Sequence, residues 1–310
     1  MTTPDPNPDP THLVADNDPG RPRALEWALY ADRVAAAWVE LLESDPEERA
    51  VQAFLERHPS MVPGGCGDIG PGGHHMSEMS AVFREPHLTG YGRKREPDFM
   101  WITRSTSLIT PILIEIEKPS KRWFTKGDQP TAEFTQARNQ LNDWRSWFSQ
   151  PENQILFRKT YLFEDKYEDR ALEPQFVLIY GRQSEFEIGG GHVRPEVLRR
   201  KRDLQRAADE SFRTFDSLRP RYELGDSLTV TMTAQGPSVF AFSPVYHTST
   251  GTYEDAFVLG DDISDAMNRT VWTTEERKGY LKSRWAHWYQ VALNVRSGKL
   301  GSLIRDAGLE

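Results

Sequence analysis

Residues 96–119, EPDFMWITRSTSLITPILIEIEKP, contain two runs rich in β-branched and aromatic residues. The runs EPDFMWI and ITPILIEIEK are separated by the short polar segment TRSTS. Such residues favour strands, and a polar segment of this length suits a hairpin loop. The stretch therefore predicts two antiparallel strands, and the apolar second run is typical of a central strand in a sheet.

Three carboxylates lie near the ends of these predicted strands. Strand side chains alternate between two faces, so Glu115 and Glu117 share one face while Lys118 points to the other. Asp98 follows Pro97 on the neighbouring strand. Carboxylates beside an apolar run are costly unless they are paired, and Mg²⁺ or Mn²⁺ is the natural partner of such oxygen ligands. The alternative is an exposed hairpin end with solvated acids.

Helical and strand-like segments surround the hairpin. The predicted helices cover residues 24–43, 46–58, 130–148, 198–212 and 275–295, and further strands cover 176–181, 228–234 and 238–245. Asp45 is the predicted N-cap of the second helix, with Pro46 at its first position. Residues 62–76, rich in glycine and proline, are predicted to form a mobile loop. This order of elements indicates an α/β or α+β protein.

Composition sets the broad class of the protein. The chain has 310 residues, 37% of them hydrophobic, which suits one large domain or two modest ones. It contains no run of about 20 apolar residues, no N-terminal secretory signal and only one cysteine, so we expect a cytoplasmic protein without membrane contact. The net charge of −8 argues against a nonspecific DNA-coating protein but permits a local basic groove. Residues 1–22 are predicted to be a disordered tail, because they are nearly devoid of apolar side chains.

Several motifs, taken in order, resemble those of a known family. PDF at 97–99 followed by EIEKP at 115–119 is similar to the core of PD-(D/E)XK nucleases. More narrowly, the chain resembles Shedu-type antiphage defence proteins over roughly residues 40–220. The supporting segments are FLERHPSMV at 54–62, QARNQLNDW at 136–144, FVLIYGR at 176–182 and RTFDSL at 213–218.

The resemblance implies an α/β, restriction-endonuclease-like PD-(D/E)XK core, in which helices flank a central mixed sheet, with extra N- and C-terminal elements. It implies a nuclease domain at residues 23–225 and a C-terminal strand and helix extension at 226–310, which is a candidate region for oligomerisation. The implied activity is that of a Mg²⁺- or Mn²⁺-dependent DNA endonuclease in antiphage defence. The implied assembly is a homo-oligomer, specifically a tetramer. Asp98, Glu115 and the Ile116 carbonyl would hold the metal.

The sequence departs from the usual E-x-K form of this motif. Glu117 stands where lysine is usual, and Lys118 follows it. We interpret Glu117 as a general base or a second metal ligand, although it lacks the positive charge of lysine. Lys118 is the alternative group for handling the attacking water, provided that its side chain swings around where Pro119 ends the strand.

Two helices carry further candidates. Glu48 matches an acid that the family places near the metal, but it also falls where a capping-box acid would follow Asp45. Gln136 and Gln140 form an i,i+4 pair beside the apolar stripe of the helix at 130–148. Their amides either orient Glu117 or a phosphate, or belong to a solvated helix face.

Basic side chains flank the predicted metal site in the sequence and suit contacts with a DNA backbone. These candidates are Arg93, Lys94, Arg95, Lys121, Arg122 and Lys126. We expect Lys121 and Arg122 to contribute to DNA affinity rather than to the chemical step. For the later cluster at 199–202, a solvated or subunit-contacting face is the better interpretation.

Two other functions are compatible with the same sequence. Because the motif has the E-x-E form, the fold could serve a non-catalytic nucleic-acid-binding or sensor protein. A repair or restriction-type nuclease would catalyse the same hydrolysis in a different biological role.

A zinc site in the glycine-rich loop is a further possibility that the sequence does not favour. Cys66, His74 and His75 lack the fourth ligand and the regular spacing of a zinc site.

Overall fold

The predicted hairpin forms the centre of the sheet. The computed structural model describes residues 21–71, 75–90, 96–162, 169–249 and 251–298. In it, β2 (Phe99–Arg104) pairs antiparallel with β3 (Leu108–Ile116), and Phe99 lies opposite Ile114. All residues of β3 after Leu108 are buried. The hairpin and its central position are therefore confirmed.

Six other strands extend this hairpin within the described residues. They are β1 (Ser77–Arg84), β4 (Ala171–Leu172), β5 (Gln175–Ile179), β6 (Glu210–Arg213), β7 (Leu228–Thr233) and β8 (Gly236–Phe242). The order is β6-β5-β3-β2-β1-β7-β8, with β4 beside β3. The β3–β4, β3–β5, β5–β6 and β1–β7 pairs are parallel and the remaining pairs are antiparallel. The predicted α/β class with a central mixed sheet is confirmed.

Helices cover both faces of the sheet. Those in the described residues are α1 (Trp27–Glu43), α2 (Glu48–Arg57), α3 (Ala132–Phe148), α4 (Pro151–Tyr161), α5 (Pro195–Leu204), α6 (Thr252–Leu259), α7 (Ser264–Arg269) and α8 (Glu275–Arg296). Helices α1 and α2 pack on one face against side chains such as Trp101 and Ile114. Helices α3, α4, α6, α7 and α8 pack on the other face, against Met100 and Leu113. The alternation of side chains along the strands thus supplies two separate cores.

Helix α3 follows its predicted pattern. Its side chains at spacings of three and four, Phe134, Ala137, Leu141, Trp144 and Phe148, are all buried. The Thr131 hydroxyl accepts a hydrogen bond from the backbone N–H of Phe134 and so caps the helix. This helix carries the predicted glutamine pair along the sheet toward the end of β3.

The sequence-based helix at 198–212 is wrong in its second half. Helix α5 ends at Leu204, and residues 210–213 form the edge strand β6 beside β5. Arg145 of α3 binds the carboxylates of Asp209 and Glu210 at 2.8 and 2.7 Å. These contacts with distant parts of the chain outweigh the local helical propensity.

The start of α2 also differs from the prediction. The helix begins at Glu48 with Glu47 as its N-cap residue, and neither Glu47 nor Asp45 provides a side-chain cap. Asp45 instead has a left-handed backbone with φ of 50°. Glu48 therefore occupies the first helical position and not the third, which removes the capping-box interpretation of its carboxylate.

The glycine-rich segment after α2 is partly a packed element. Residues 62–65 are buried, and a Cβ on Gly65 would lie 2.8 Å from the indole of Trp101. Glycine is needed there because the backbone approaches the sheet too closely for a side chain. Residues 72–74 lie outside the described part of the chain.

The His-Pro element links α1 to α2. The Tyr30 hydroxyl lies 2.8 Å from Ser60 Oγ and 3.4 Å from His58 Nδ1. Burial, with the nearby charges of Arg57 and Arg33, lowers the pKa of His58 to about 3. A neutral, buried imidazole of this kind has a packing role.

Residues after 225 continue the same sheet. Strand β7 pairs in parallel with β1, and β8 extends the edge beyond it. Trp285 and Trp288 of α8 are fully buried. These two tryptophans therefore belong to the core of the protein. In the ranges that the structure describes, no helix has the length and apolarity required to cross a membrane. The predicted disordered tail lies, up to residue 20, outside the described residues.

We expect a chain truncated after residue 225 to be insoluble or unfolded, because it would expose the edge of β1 and the core beneath α8. A chain lacking residues 1–20 is the matched control. If these residues form a disordered tail, this shorter chain should have the same melting temperature as the full-length protein. Circular dichroism and thermal melts of the two chains check this. A cooperative melt of the 225-residue chain at the melting temperature of the full-length protein would show that the later strands are dispensable.

Candidate acidic site at the end of the central strand

Asp98 connects the start of β2 to the end of β3. Its Oδ2 atom accepts a hydrogen bond of 2.7 Å from the backbone N–H of Ile116. This contact occurs just beyond the antiparallel ladder, where that N–H has no strand partner on β2. It fixes the Asp98 carboxylate against the end of β3.

Glu115 lies on the α3 side of β3, as the alternation of the strand predicts. Its residue surface is 7% exposed. The Gln140 amide donates a hydrogen bond to its carboxylate. Gln136, one turn earlier on α3, is exposed. The structure therefore brings one member of the predicted glutamine pair to the site, and its partner is Glu115 rather than Glu117.

Glu117 and Lys118 point in opposite directions. Glu117 is also 7% exposed, and its carboxylate pairs with the Lys121 ammonium. Lys118 Nζ lies 2.7 Å from Glu47 Oε1 at the start of α2. The swing of Lys118 toward the acids is therefore not found, since Lys118 remains on the face that strand alternation gives it.

Glu48 faces the same group of acids from α2. Burial raises the pKa of Glu48, and the negative charge of Glu117 raises it further, while Lys121 opposes the shift. With the capping role removed, the charges of Glu117 and Lys121 are the neighbours that affect the Glu48 carboxylate.

The pKa values show how strongly these carboxylates affect one another. Burial raises the pKa of Asp98 to about 8, with further increases from the charges of Glu48 and Glu117. Burial and the charge of Asp98 raise the pKa of Glu115 well above its usual range. Buried like charges resist joint ionisation, so the group must hold protons or attract a cation. Such perturbed groups are typical of functional sites.

The donor set can be compared with the needs of a metal. Hard cations such as Mg²⁺ prefer carboxylate and carbonyl oxygens. In the ranges that the structure describes, no three His, Cys, Asp or Glu side chains are close enough to form a ready-made metal site. The chain therefore offers two carboxylates, Asp98 and Glu115, beside the Ile116 backbone, rather than a full protein cage. Mg²⁺ characteristically binds such sparse sites, because it keeps several of its waters.

The predicted DNA-contacting residues are distributed unevenly. Lys121 lies in the acidic site, and Lys126 is exposed. Arg122 donates a hydrogen bond of 2.6 Å to the Gly190 carbonyl, which ties it to a glycine-rich turn. Arg93, Lys94 and Arg95 lie outside the described residues.

The basic cluster at residues 199–202 makes contacts within the protein. Arg202 lies over the rings of Trp123 and Phe186, and Arg199 donates to the Phe186 carbonyl. Arg200 is exposed. Lys201 donates to the Asp128 carbonyl and lies over the ring of Phe124. These contacts account for three of the four charges without invoking a nucleic acid.

The glycine-loop residues do not form a zinc site in the described part of the chain. Cys66 Sγ lies 3.5 Å from Asp68 Oδ1, and burial raises the pKa of the thiol to about 11. A thiol of such high pKa is a poor metal ligand. His75 is exposed, and His74 lies outside the described residues.

The sequence did not indicate that Glu185 holds the loop after β3 in place. Glu185 is buried and accepts hydrogen bonds of 2.9 Å from the backbone N–H groups of Trp123 and Phe124. A cleft of about 540 Å³ opens beside this loop, and its lining includes Lys121, Arg122 and Arg182. Glu185 carries no local sequence signal, because its partners lie about 60 residues earlier.

The fold and the site define an α/β protein with a group of buried carboxylates at the end of a central antiparallel hairpin. A family model described as Shedu protein SduA, C-terminal, matches residues 45–218. The match covers more than half of the chain, and the chain belongs to this Shedu family. No curated protein and no solved structure gives a significant match.

The raised pKa of Asp98 predicts a definite pH dependence. Between pH 4 and 8 the unfolded chain loses this proton and the folded chain keeps it, so stability falls as pH rises through that window. We expect Asp98→Asn to remove this loss and to raise the free energy of unfolding at pH 8 by more than about 1.4 kcal/mol, the worth of one pKa unit.

Denaturant titrations in EDTA at pH 5 and pH 8 check this expectation. Asp32→Asn, at an exposed position on α1, is the matched control and should leave stability unchanged at both values. An Asp98→Asn chain that is no more stable than the control at pH 8 would contradict the electrostatic account.

Proposed function

We propose that this protein is a metal-dependent DNA nuclease of the PD-(D/E)XK class. The observation that carries the proposal is the placement of Asp98 and Glu115 at the end of one hairpin, where the Ile116 N–H holds Asp98 and the charges of Glu48 and Glu117 lie nearby. Membership of the Shedu family suggests that the activity serves antiphage defence.

Asp98, Glu115 and the Ile116 carbonyl would hold Mg²⁺ or Mn²⁺. The bound ion would supply Lewis-acid stabilisation of the phosphate and activation of a water. Gln140 orients Glu115 by donating to its carboxylate, and the Ile116 N–H orients Asp98. Both ligands are thus held in place before any cation arrives, which is what a weakly enclosed site requires.

Glu117 is the residue that would receive the proton of the attacking water. It lies on the same strand face as Glu115 and belongs to the same charged group. In the reaction, the water oxygen bonds to phosphorus and one ester P–O bond breaks. A water proton passes to a Glu117 oxygen, and the departing ester oxygen takes a proton from solvent. Lys118 is a poorer candidate for this step, because its ammonium is engaged by Glu47 on the opposite face.

We further propose that DNA passes along the cleft beside the loop after β3, where Arg122 meets its phosphates, and that the exposed Lys126 of the same loop extends this contact. The run at 93–95 would extend this surface. The family resemblance also motivates a homotetramer that acts in the cytoplasm. Size-exclusion chromatography with light scattering measures the number of subunits directly.

A non-catalytic nucleic-acid-binding or sensor protein is the second candidate. It is favoured by one observation, that the described residues contain no preformed group of three metal-binding side chains. Incubation with plasmid, linear and single-stranded DNA, in Mg²⁺, Mn²⁺ or EDTA, separates the two candidates. Cleavage that requires the cation supports the nuclease, whereas DNA binding without cleavage supports the binder.

Glu115→Ala is expected to abolish cation-dependent cleavage and to leave the fold intact. The change removes a proposed ligand, whereas the loss of a buried carboxylate with a raised pKa should not lower stability. Plasmid nicking at saturating Mg²⁺, with thermal melts in parallel, checks both parts. Glu40→Ala, at an exposed site on α1, should nick like wild type. Wild-type nicking by Glu115→Ala would locate the active site elsewhere.

A further inference from the structure

We propose that Lys121, rather than Lys118 just after β3, supplies the positive charge that contacts the phosphate during hydrolysis. The inference rests on the proposed nuclease function and gives Lys121 a role in the chemical step. Lys121 lies four residues after Glu117, in the loop that leaves the central strand. Its ammonium pairs with the Glu117 carboxylate inside the acidic site.

Lys121 is positioned between the acids and open solvent. Its side chain is 33% exposed, whereas that of Glu117 is 10% exposed. The same lysine lines the cleft of about 540 Å³. Lys121 therefore both pairs with Glu117 and lines the cleft. A phosphodiester that reaches the acids from this cleft would pass its ammonium.

The loop backbone holds Lys121 firmly. The Lys121 N–H donates a hydrogen bond of 3.0 Å to the Lys118 carbonyl and closes a turn after Pro119. On the other side, Gly181 approaches so closely that a Cβ there would lie 2.8 Å from the Lys121 carbonyl oxygen. Gly181 also has φ of 59°, a conformation that suits glycine. These contacts fix the backbone at Lys121, and the ion pair with Glu117 directs its side chain toward the acidic site.

The neighbouring cations are committed to other partners. Lys118 binds Glu47 on the opposite face, and Arg182 binds Asp216. Lys121 is the lysine whose charge opposes the raised pKa of Glu48. In the proposed reaction the ammonium keeps its proton throughout, and it stabilises the additional negative charge on the phosphate oxygens.

This role makes a prediction that separates it from simple DNA attraction. Lys121→Gln should slow cleavage by about 100-fold or more, the usual cost of removing one such electrostatic contact. The same change removes a positive charge beside the carboxylates, so Mn²⁺ binding should become several-fold tighter. DNA affinity and its salt dependence should remain near the wild-type values. Lys121→Arg keeps the charge and should recover part of the cleavage rate.

The experiment combines three measurements on the full chain. Plasmid cleavage rates are taken at saturating Mn²⁺, Mn²⁺ affinity by calorimetry without DNA, and DNA affinity by fluorescence anisotropy in EDTA across a salt series. Lys159→Gln, exposed on α4, is the matched neutral control and should leave all three unchanged. Lys126→Gln should weaken DNA binding and reduce its salt slope without altering Mn²⁺ affinity.

Slow cleavage with tighter Mn²⁺ binding and unchanged DNA affinity in Lys121→Gln supports the inference. Wild-type cleavage in this variant overturns it while leaving the nuclease proposal intact. Weaker DNA binding with a flatter salt slope assigns Lys121 to the DNA backbone and overturns it. A lower melting temperature with weaker Mn²⁺ binding assigns it a structural role and also overturns it. A wild-type chain that does not cleave DNA with any cation removes the nuclease proposal and this inference with it.

Discussion

Mutual repulsion among buried carboxylates is the constraint on which the rest of this site depends. Asp98 and Glu115 lie where water cannot fully solvate them, and each disfavours the ionisation of the other. The surrounding structure provides a hydrogen-bond donor to each carboxylate. The Ile116 N–H donates to Asp98, and the Gln140 amide donates to Glu115. A folded chain in which both carboxylates are ionised therefore carries an unfavourable electrostatic energy.

The parts of the molecule that were predictable are those in which local pattern and burial agree. The β2–β3 hairpin follows from alternation and turn composition, and α3 follows from one unbroken apolar stripe. Asp98, Glu115 and Glu117 were identifiable for the same reason, because strand periodicity assigns their faces. Strand β6 was not predictable, since its conformation depends on β5 and on Arg145, 64 residues earlier than Asp209.

The environment of Lys121 was also beyond sequence reasoning. Strand periodicity ends at Pro119, so no local rule indicates the direction of the next side chains. The direction is set by Glu185, which holds two backbone N–H groups of the loop, and by the close approach of Gly181. A basic run beside an acidic strand suggested DNA contact, whereas the contact that the fold makes is an ion pair with Glu117.

The parallel pairing of β1 with β7 has a consequence for the order in which the chain acquires its structure during synthesis. The β2–β3 hairpin joins neighbouring segments and can form early, but Val82 meets Thr229 only after a further 147 residues have been added. Until then, the outer edge of β1 lacks its native hydrogen-bonding partner, and closing so long a loop is slow. The acidic end of the hairpin can therefore exist on the ribosome before the sheet that rigidifies it, so the nascent chain passes through a stage in which its unpaired edge is open to other chains.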